Sequence, residues 1–432
     1  MSRFSMSARR TFSSLYTSRS FRLYFVGQVI STTGTWLNAT ATAWLVLHLT
    51  HSGVALGINT GLLFLPILLV GAYGGVLADR FDKRKILMWT QGLQAVISLA
   101  LFSVVALDIV TLWMVYALSL LGGMILALDN PTRQSFYVEM VGEDDLTNAV
   151  SLNSAVFMFS RVLGPALAGF LIYYVSLASP FLVDALSYVA VIAGLGLMRP
   201  EDLHPQQRTT RERGHLMRGL RYVWSTPELR RPLVALAVVC TFSFNWAVLV
   251  PLLAVQTFGG GPGTLGSLSA MTGIGAFVGA IFMANRAATP TMYRLALFTT
   301  ASGIALILPA LAPTLPWAYP LLIPMGLFMM VLLITANSML QLAAKPQARG
   351  RVMALYSIVL LGSTPIGSPI TGWIGQHMGA RWAFVLNGAV ALITGIVLLV
   401  ARRHRGQVVV AAPTQETGAE LDAEAIGESA LA

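Results

Sequence analysis

The sequence predicts an all-α integral membrane protein whose twelve transmembrane helices form two bundles of six. Of the 432 residues, 56% are hydrophobic and only 11% are charged, whereas soluble domains carry about 25% charged residues. Apolar stretches of the length that a bilayer requires, about 20 residues each, recur along the whole chain. The longest hydrophilic interruption, residues 199–230, separates six such stretches from six.

The elements follow one another in a simple order. The predicted spans cover residues 21–49, 53–78, 86–107, 110–136, 148–175, 180–198, 231–257, 264–285, 291–311, 316–340, 350–376 and 381–401. The segments are then a cytoplasmic lead (1–20), a first bundle (21–198), a cytoplasmic central loop (199–230), a second bundle (231–401) and a tail (402–432). The tail is acidic and alanine-rich, so we expect it to be disordered and cytoplasmic.

The positions of the cations predict the orientation of the chain. If the N-terminus is cytoplasmic and every span crosses once, about 26 of the 28 Lys and Arg residues fall on the cytoplasmic side. Cytoplasmic loops are enriched in these residues. We therefore expect a multi-pass protein of the inner (plasma) membrane with both termini in the cytoplasm. The net charge of +10 does not indicate a nucleic-acid partner, because the cations are distributed between apolar blocks.

The second part of the central loop has an amphipathic pattern. In "HLMRGLRYVWSTPELRR", Leu216, Leu220, Val223 and Trp224 share one helical face among arginines. This pattern predicts a short helix at the membrane surface; the alternative is an ordinary solvated linker.

The two bundles resemble each other in sequence. "RVLGPALAGFLI" contains Gly164 and Gly169, and "STPIGSPITGWIG" contains Gly367 and Gly372 at the same spacing, about 203 residues later. Trp36 and Trp246 are also separated by about 210 residues, in spans one and seven. The nearly equal offsets indicate a parallel duplication.

A charged turn lies between spans two and three. In "GGVLADRFDKRKIL" (residues 74–87), six of seven consecutive residues carry charge. The segment resembles the loop motif of the major facilitator superfamily, which matches at Gly75, Leu77, Ala78, Asp79, Arg80, Lys83, Arg84 and Leu87. Asp82 stands where that family usually has a glycine. The simpler alternative, a cation-rich cytoplasmic loop, explains Arg84 but not Gly75 or Asp79.

The resemblance implies a cytoplasmic gate. Gly75 would permit close helix contact, and Asp79 would cap the N-terminus of helix eleven. Lys83 would pair with an acid at the inner end of helix four, for which Asp129 is the candidate. The predicted gate residues are Gly75, Asp79, Arg80, Lys83, Arg84 and Asp129.

A finer resemblance covers residues 129–172 and 337–375, which are similar to an exporter subgroup that includes enterobactin and macrolide-efflux-type exporters. "GPALAG" in helix five resembles the antiporter motif of drug exporters, with Ala168 and Ser160 in place of two glycines. The residues of this helix-five motif are Arg161, Gly164, Pro165 and Gly169. Helix four lacks the arginine of drug–proton antiporters, so the motif assigns no proton carrier.

The resemblance also implies that helices one, four, seven and ten line a central cavity. The residues predicted to line this cavity are Gln28, Thr32, Trp36, Asn38, Asn245, Trp246 and Asn337. Polar and aromatic side chains with little fixed charge suit a bulky, mostly neutral amphiphile.

Charges inside the membrane are costly and therefore candidates for function. Arg161 lies about half way along helix five, where it would bind Asp129, helix carbonyls or an anionic group of the substrate. Asp129 and Asp184 are the candidates for coupling transport to an ion.

The sequence thus predicts a secondary active exporter that moves a macrolide-like drug or a siderophore by alternating access. The absence of a Gly-Lys-Ser/Thr motif excludes a P-loop ATPase, so we expect proton antiport. The expected partners are the substrate, protons and the lipid bilayer; we expect a monomer with no cofactor and no metal. No pattern of an enzyme active site is present. An uptake permease of the same fold and a non-transporting receptor or scaffold remain alternatives.

Overall fold

The computed structural model describes residues 13–204, 215–286 and 289–403, with the backbone alone for 72–80, 200, 215, 216, 347, 402 and 403. All regular secondary structure in these ranges is helical. The long helices are numbered α1 to α12 in chain order. They are Arg19–Thr50, Gly53–Arg80, Lys83–Ala106, Leu112–Val141, Leu146–Tyr174, Ser179–Gly196, Pro227–Thr257, Pro262–Ala284, Met292–Leu311, Leu315–Ala343, Arg349–Met378 and Ala380–Arg403.

Eleven of these helices in the described ranges are long and apolar enough to cross a membrane. The remaining one, α1, is the longest at 32 residues, or about 48 Å at 1.5 Å per residue. Its polar side chains include Gln28 and Ser31, each 2% exposed, so they face protein and not lipid. The structure is therefore consistent with twelve spans.

Local sequence explains where helices begin and break. Asp82 caps the N-terminus of α3 by accepting a hydrogen bond from the Lys85 N–H (3.3 Å). Its carboxylate therefore has a role that a glycine in this position would not supply. α7 is interrupted between Phe242 and Trp246, and the Ser243 hydroxyl there donates to the Asn387 carbonyl (2.7 Å). This hydrogen bond links the break in α7 to α12 within the second half.

Helix pairing repeats in the two halves of the chain. In the first half α1 packs on α5 and α6, α2 on α4, and α3 on α6. In the second half α7 packs on α11 and α12, α8 on α10, and α9 on α12. The same pairs recur six helices later, so the sequence repeat corresponds to a structural repeat.

The most extensive contacts between the halves join α2 with α11 and α5 with α8. The face of the molecule that carries Ser13 and Arg403 is termed the terminal side, and the opposite face, with the α1–α2 turn at His51, is termed the far side.

Two short helices connect to the bundles on the terminal side. The helix Ser13–Thr17 is held by hydrogen bonds from Ser13 and Thr17 to the Asp145 carboxylate (2.8 and 2.6 Å). The helix His215–Ser225 occupies the amphipathic part of the central loop. Its Val223 is buried in the second half, whereas Trp224 is 59% exposed. The side chain of Leu216 lies outside the described residues, and the membrane contact of this helix remains a prediction.

Candidate substrate site and gating contacts

Three aromatic residues and one arginine (Trp36, Phe157, Trp246 and Arg161), together termed the aromatic cluster, join the halves about half way along their helices. The Arg161 Cζ lies 4.5 Å from the ring centre of Trp246 and 5.6 Å from that of Trp36. The two indole rings are 5.4 Å apart, and the Phe157 ring is 5.4 Å from Trp36. Trp246 belongs to the second half and the other three residues to the first. The cluster therefore bridges the two halves.

Arg161 is buried, with 9% of its surface exposed. No acid forms an ion pair with it among the residues that the structure describes, and no described residue accepts a hydrogen bond from its guanidinium. Of the three partners expected for Arg161, Asp129 is wrong because Arg133, one helical turn beyond Asp129, occupies that carboxylate (2.5 Å). The faces of the two tryptophans offset part of the cost of burying the cation.

The helix-five motif makes two close helix contacts. A Cβ placed on Gly164 would lie 2.5 Å from the Trp36 Cβ on α1, and one on Gly169 would lie 2.8 Å from the Pro262 carbonyl oxygen on α8. Pro165 contributes its carbonyl oxygen, 2.5 Å from a Cβ built on Gly266. Through this motif, α5 packs on α1 of its own half at Gly164 and on α8 of the other half at Gly169.

The glycines of α11 repeat this arrangement. A Cβ on Gly367 would lie 1.7 Å from the Thr241 carbonyl oxygen on α7, in the same half. A Cβ on Gly372 would lie 2.1 Å from the Gly53 carbonyl oxygen on α2, in the other half. The paired glycine spacing in the sequence therefore marks equivalent contacts in the two halves.

The halves are closed against each other on the far side. The Ser52 hydroxyl donates to the Gln376 side-chain oxygen (2.6 Å), which also accepts from the Val54 N–H (3.1 Å). Deeper along the same pair, a Cβ on Gly57 would lie 2.4 Å from the Ser368 carbonyl oxygen. These contacts bring the backbones of α2 and α11 together and exclude a passage between them at this depth.

The predicted cavity residues do not all face the junction of the halves. Asn38 donates to the Asp184 carboxylate, and Asn245 donates to the Thr241 carbonyl (2.8 Å) inside the second half. Gln28 is buried at 2% exposure, and Asn337 accepts from the Gln341 amide on its own helix. Thr32 is half-buried. Of the predicted set, Trp36 and Trp246 are the pair that meets across the halves.

Asp184 lies where α1, α3 and α6 meet. It is fully buried and accepts hydrogen bonds from the Asn38 amide and the Ser98 hydroxyl, both at 2.6 Å. Its second oxygen, Oδ1, has no hydrogen-bond partner. A Cβ on Gly34 would lie 2.8 Å from that oxygen. Asp184 is thus a carboxyl group with no cation beside it among the described residues.

Asp129 has a very different environment. Its Oδ1 accepts from the Thr90 hydroxyl (2.6 Å) and the Gln91 amide (2.8 Å), and its Oδ2 accepts from Arg133 (2.5 Å). This carboxylate is fully partnered inside the first half, and its charge is neutralised by its own helix.

Lys83 forms its ion pair with Glu139, so the predicted Lys83–Asp129 pair is wrong. The reason is the length of α4, which continues to Val141, five residues beyond its predicted end. Glu139 therefore lies at the terminal-side end of the helix, about 15 Å beyond Asp129 at 1.5 Å per residue. Arg84 donates to the Leu195 carbonyl (2.7 Å) at the C-terminus of α6. Lys83 and Arg84 thus brace α3 against α4 and α6 inside the first half.

Three predicted gate residues fall where only the backbone is described. Gly75, Asp79 and Arg80 lie in the last two turns of α2, within residues 72–80. The contact of Asp79 with α11 is outside the described side chains and remains a prediction.

Sequence reasoning missed Phe157, Glu139 and Gln376. Phe157 precedes Arg161 by four residues, a spacing that places both on one face of α5, so helical periodicity was an available signal. Glu139 required the correct helix end. No sequence signal distinguishes Gln376, whose role follows from the approach of α2 to α11.

Comparison with known proteins finds a matching family and several related transporters and exporters. The profile of the transmembrane secretion effector family matches residues 10–425. The staphyloferrin A transporter of Staphylococcus aureus is 25% identical over 85% of this chain and 92% of its own length. The enterobactin exporter EntS of Escherichia coli is 25% identical over 94% and 97%. The multidrug efflux pump Tap of Mycolicibacterium fortuitum is 26% identical over 86% and 93%.

Solved structures share the fold. A bacterial homologue of the human lysosomal transporter Spinster, inward-facing and occupied, gives a TM-score of 0.70 at 14% identity and covers 89% of this chain and 96% of its own. A POT family transporter with 5-aminolevulinic acid gives 0.72 at 12% identity, over 90% and 97%. The repeated six-helix halves, the helix-five motif and the family match lead to one conclusion: this chain is a multi-pass membrane protein of the transmembrane secretion effector family, within the major facilitator superfamily.

Proposed function

We propose that this protein is a secondary active exporter that moves an amphiphilic small molecule out of the cell in exchange for protons. The observation that carries the proposal is the aromatic cluster, which is built from both halves at mid-depth. A substrate bound there contacts both halves and responds to their relative motion. Relatives named as an enterobactin exporter and a multidrug efflux pump support export of a siderophore or a drug.

Alternating access requires a gate on each side of the site. The contacts of Ser52, Gly57 and Gln376 between α2 and α11 support a closed gate on the far side. The gate on the terminal side would contain Gly75, Asp79 and Arg80 of the charged turn. We propose that the terminal side is cytoplasmic, that the protein lies in the plasma membrane and that it acts as a monomer.

Of the two candidate coupling residues, we propose Asp184 as the proton carrier. Asp129 is neutralised by Arg133 and holds two further hydrogen bonds. Asp184 has no cation partner among the described residues and has one unpartnered oxygen. A charged carboxylate in such surroundings is costly. Protonation therefore removes a larger desolvation cost at Asp184 than at Asp129.

The test is compound accumulation in exporter-deficient bacteria that produce the wild type, Asp184→Asn or Asp108→Asn. The panel contains macrolides, tetracyclines, dye cations and a catecholate siderophore. Asp108 is an exposed acid in the α3–α4 turn and serves as the matched control.

We expect one compound to accumulate less in cells with the wild type or Asp108→Asn. A protonophore or the Asp184→Asn substitution should abolish the difference. Higher accumulation with the wild type would instead indicate uptake, and no change for any compound would contradict export of these classes.

A further inference from the structure

We infer that Arg161, Trp36 and Trp246 form a binding site for an anionic group, with a carboxylate attached to an aromatic or apolar body as its ligand. The inference rests on the proposed transport function and specifies the chemical class of its substrate. It replaces the sequence-based expectation of a mostly neutral amphiphile.

The charge of Arg161 is the first argument. Two ion pairs, Arg133 with Asp129 and Lys83 with Glu139, each neutralise a cation inside the first half. Arg161 is as buried as a core residue, at 9% exposure, yet no described acid neutralises it. An unpaired charge in a low-dielectric environment is costly. A bound anion would supply the missing partner.

The hydrogen-bonding capacity of Arg161 is the second argument. A guanidinium has five N–H donors in a planar fork that matches a carboxylate. The tryptophan faces attract the cation but offer no lone pair to these donors. Since no described residue accepts a hydrogen bond from this guanidinium, its donors are available to a ligand.

The apolar surroundings are the third argument. Trp36 and Trp246 are partly exposed and Phe157 is 43% exposed, so their rings can contact a ligand. Ring faces next to a cation select a molecule with an aromatic or apolar body and an acidic group. Because Trp246 comes from the second half and Arg161 from the first, such a ligand would contact both halves.

The test measures binding of 2-naphthoate and its neutral counterpart 2-naphthamide to the purified full-length protein in detergent. The variants are Arg161→Gln, Arg161→Lys and Arg286→Gln. Arg286 is the matched control, because it also lies over an aromatic ring (5.0 Å from that of Phe282) but is exposed at the end of α8. Size-exclusion profiles and thermal unfolding show whether each variant is folded.

We expect the wild type and Arg286→Gln to bind 2-naphthoate at least about tenfold more tightly than 2-naphthamide. Arg161→Gln should lose this preference. Arg161→Lys should retain part of it, because lysine keeps the charge without the planar fork; this variant also provides the test if Arg161→Gln does not fold.

Equal affinity of the wild type for the two compounds, or an unchanged preference in Arg161→Gln, would overturn the inference. Binding to purified protein does not depend on coupling or direction. If the protein exports neutral compounds but does not bind 2-naphthoate, the proposed export function stands and the proposed anion site is refuted.

Discussion

At the scale of single residues, the partner of Lys83 depends on where one helix ends. Asp129 and Glu139 are both acids of α4, ten residues apart. Only Glu139 reaches the terminal-side end of the helix, where Lys83 begins α3. The sequence predicts that Lys83 has an acidic partner on helix four, but an error of five residues in the helix end assigned the wrong one.

This assignment predicts which pairs of substitutions interact. Lys83→Met and Glu139→Gln should each lower the midpoint of thermal unfolding in detergent, since each breaks an ion pair that is mostly shielded from water. A hydrogen bond to a charged group contributes about 1.5–3 kcal/mol to stability. Because either single substitution already removes this contribution, the double variant should be little less stable than either single variant.

The comparison pair is Lys83→Met with Asp129→Asn. Their effects should add, because the two side chains share no partner. Additive effects for Lys83 and Glu139, or strong coupling between Lys83 and Asp129, would show that the described pairing is wrong.

The contacts of Arg161 with the rings of Trp36 and Trp246 could not be predicted from single residues. The sequence indicates a buried arginine on α5 and tryptophans on α1 and α7. Their contact depends on how α1, α5 and α7 converge, and on the break in α7 that starts a new helical segment at Trp246. Such an arrangement is set by packing between helices, which periodicity within one helix does not specify.

At the scale of helices, glycines fix how closely the halves approach. The repeated spacing in α5 and α11 was visible in the sequence and corresponds to equivalent contacts. The glycines of α2, which complete the far-side contact, carried no comparable signal. Gly57 is necessary because a side chain there meets backbone, the Ser368 carbonyl, and not the flexible end of a neighbouring side chain.

Gly57→Leu should therefore separate α2 from α11 and abolish export, whereas Gly92→Leu should have little effect. Gly92 is a suitable control because a Cβ there would meet nothing within 4 Å. The measurement is labelling of Ser52→Cys by a membrane-impermeant maleimide in intact cells, in a Cys240→Ser background.

The cysteine at position 52 should react faster in the protein with Gly57→Leu than in the protein with Gly92→Leu or in the protein without a glycine substitution. Equal labelling in all three proteins, with export intact in Gly57→Leu, would contradict a far-side gate formed by these helices.

At the scale of the whole molecule, composition and cation distribution predict most of the architecture. An all-helical membrane protein is confirmed, and eleven described helices meet the length and hydropathy of a membrane span, which is consistent with two six-helix halves. The first helix does not, because its polar residues serve contacts inside the protein. Which side of the site is closed does not follow from the sequence, since one chain must form both gates in turn.

We propose that the two halves carry a substrate outward at the expense of a proton gradient. The most direct measurement compares respiring inverted membrane vesicles with right-side-out vesicles, using the compound that the accumulation panel identifies. Export predicts uptake into inverted vesicles that a protonophore abolishes and that Asp184→Asn lacks. Protonophore-sensitive accumulation in right-side-out vesicles alone would contradict proton-driven export and identify an uptake permease.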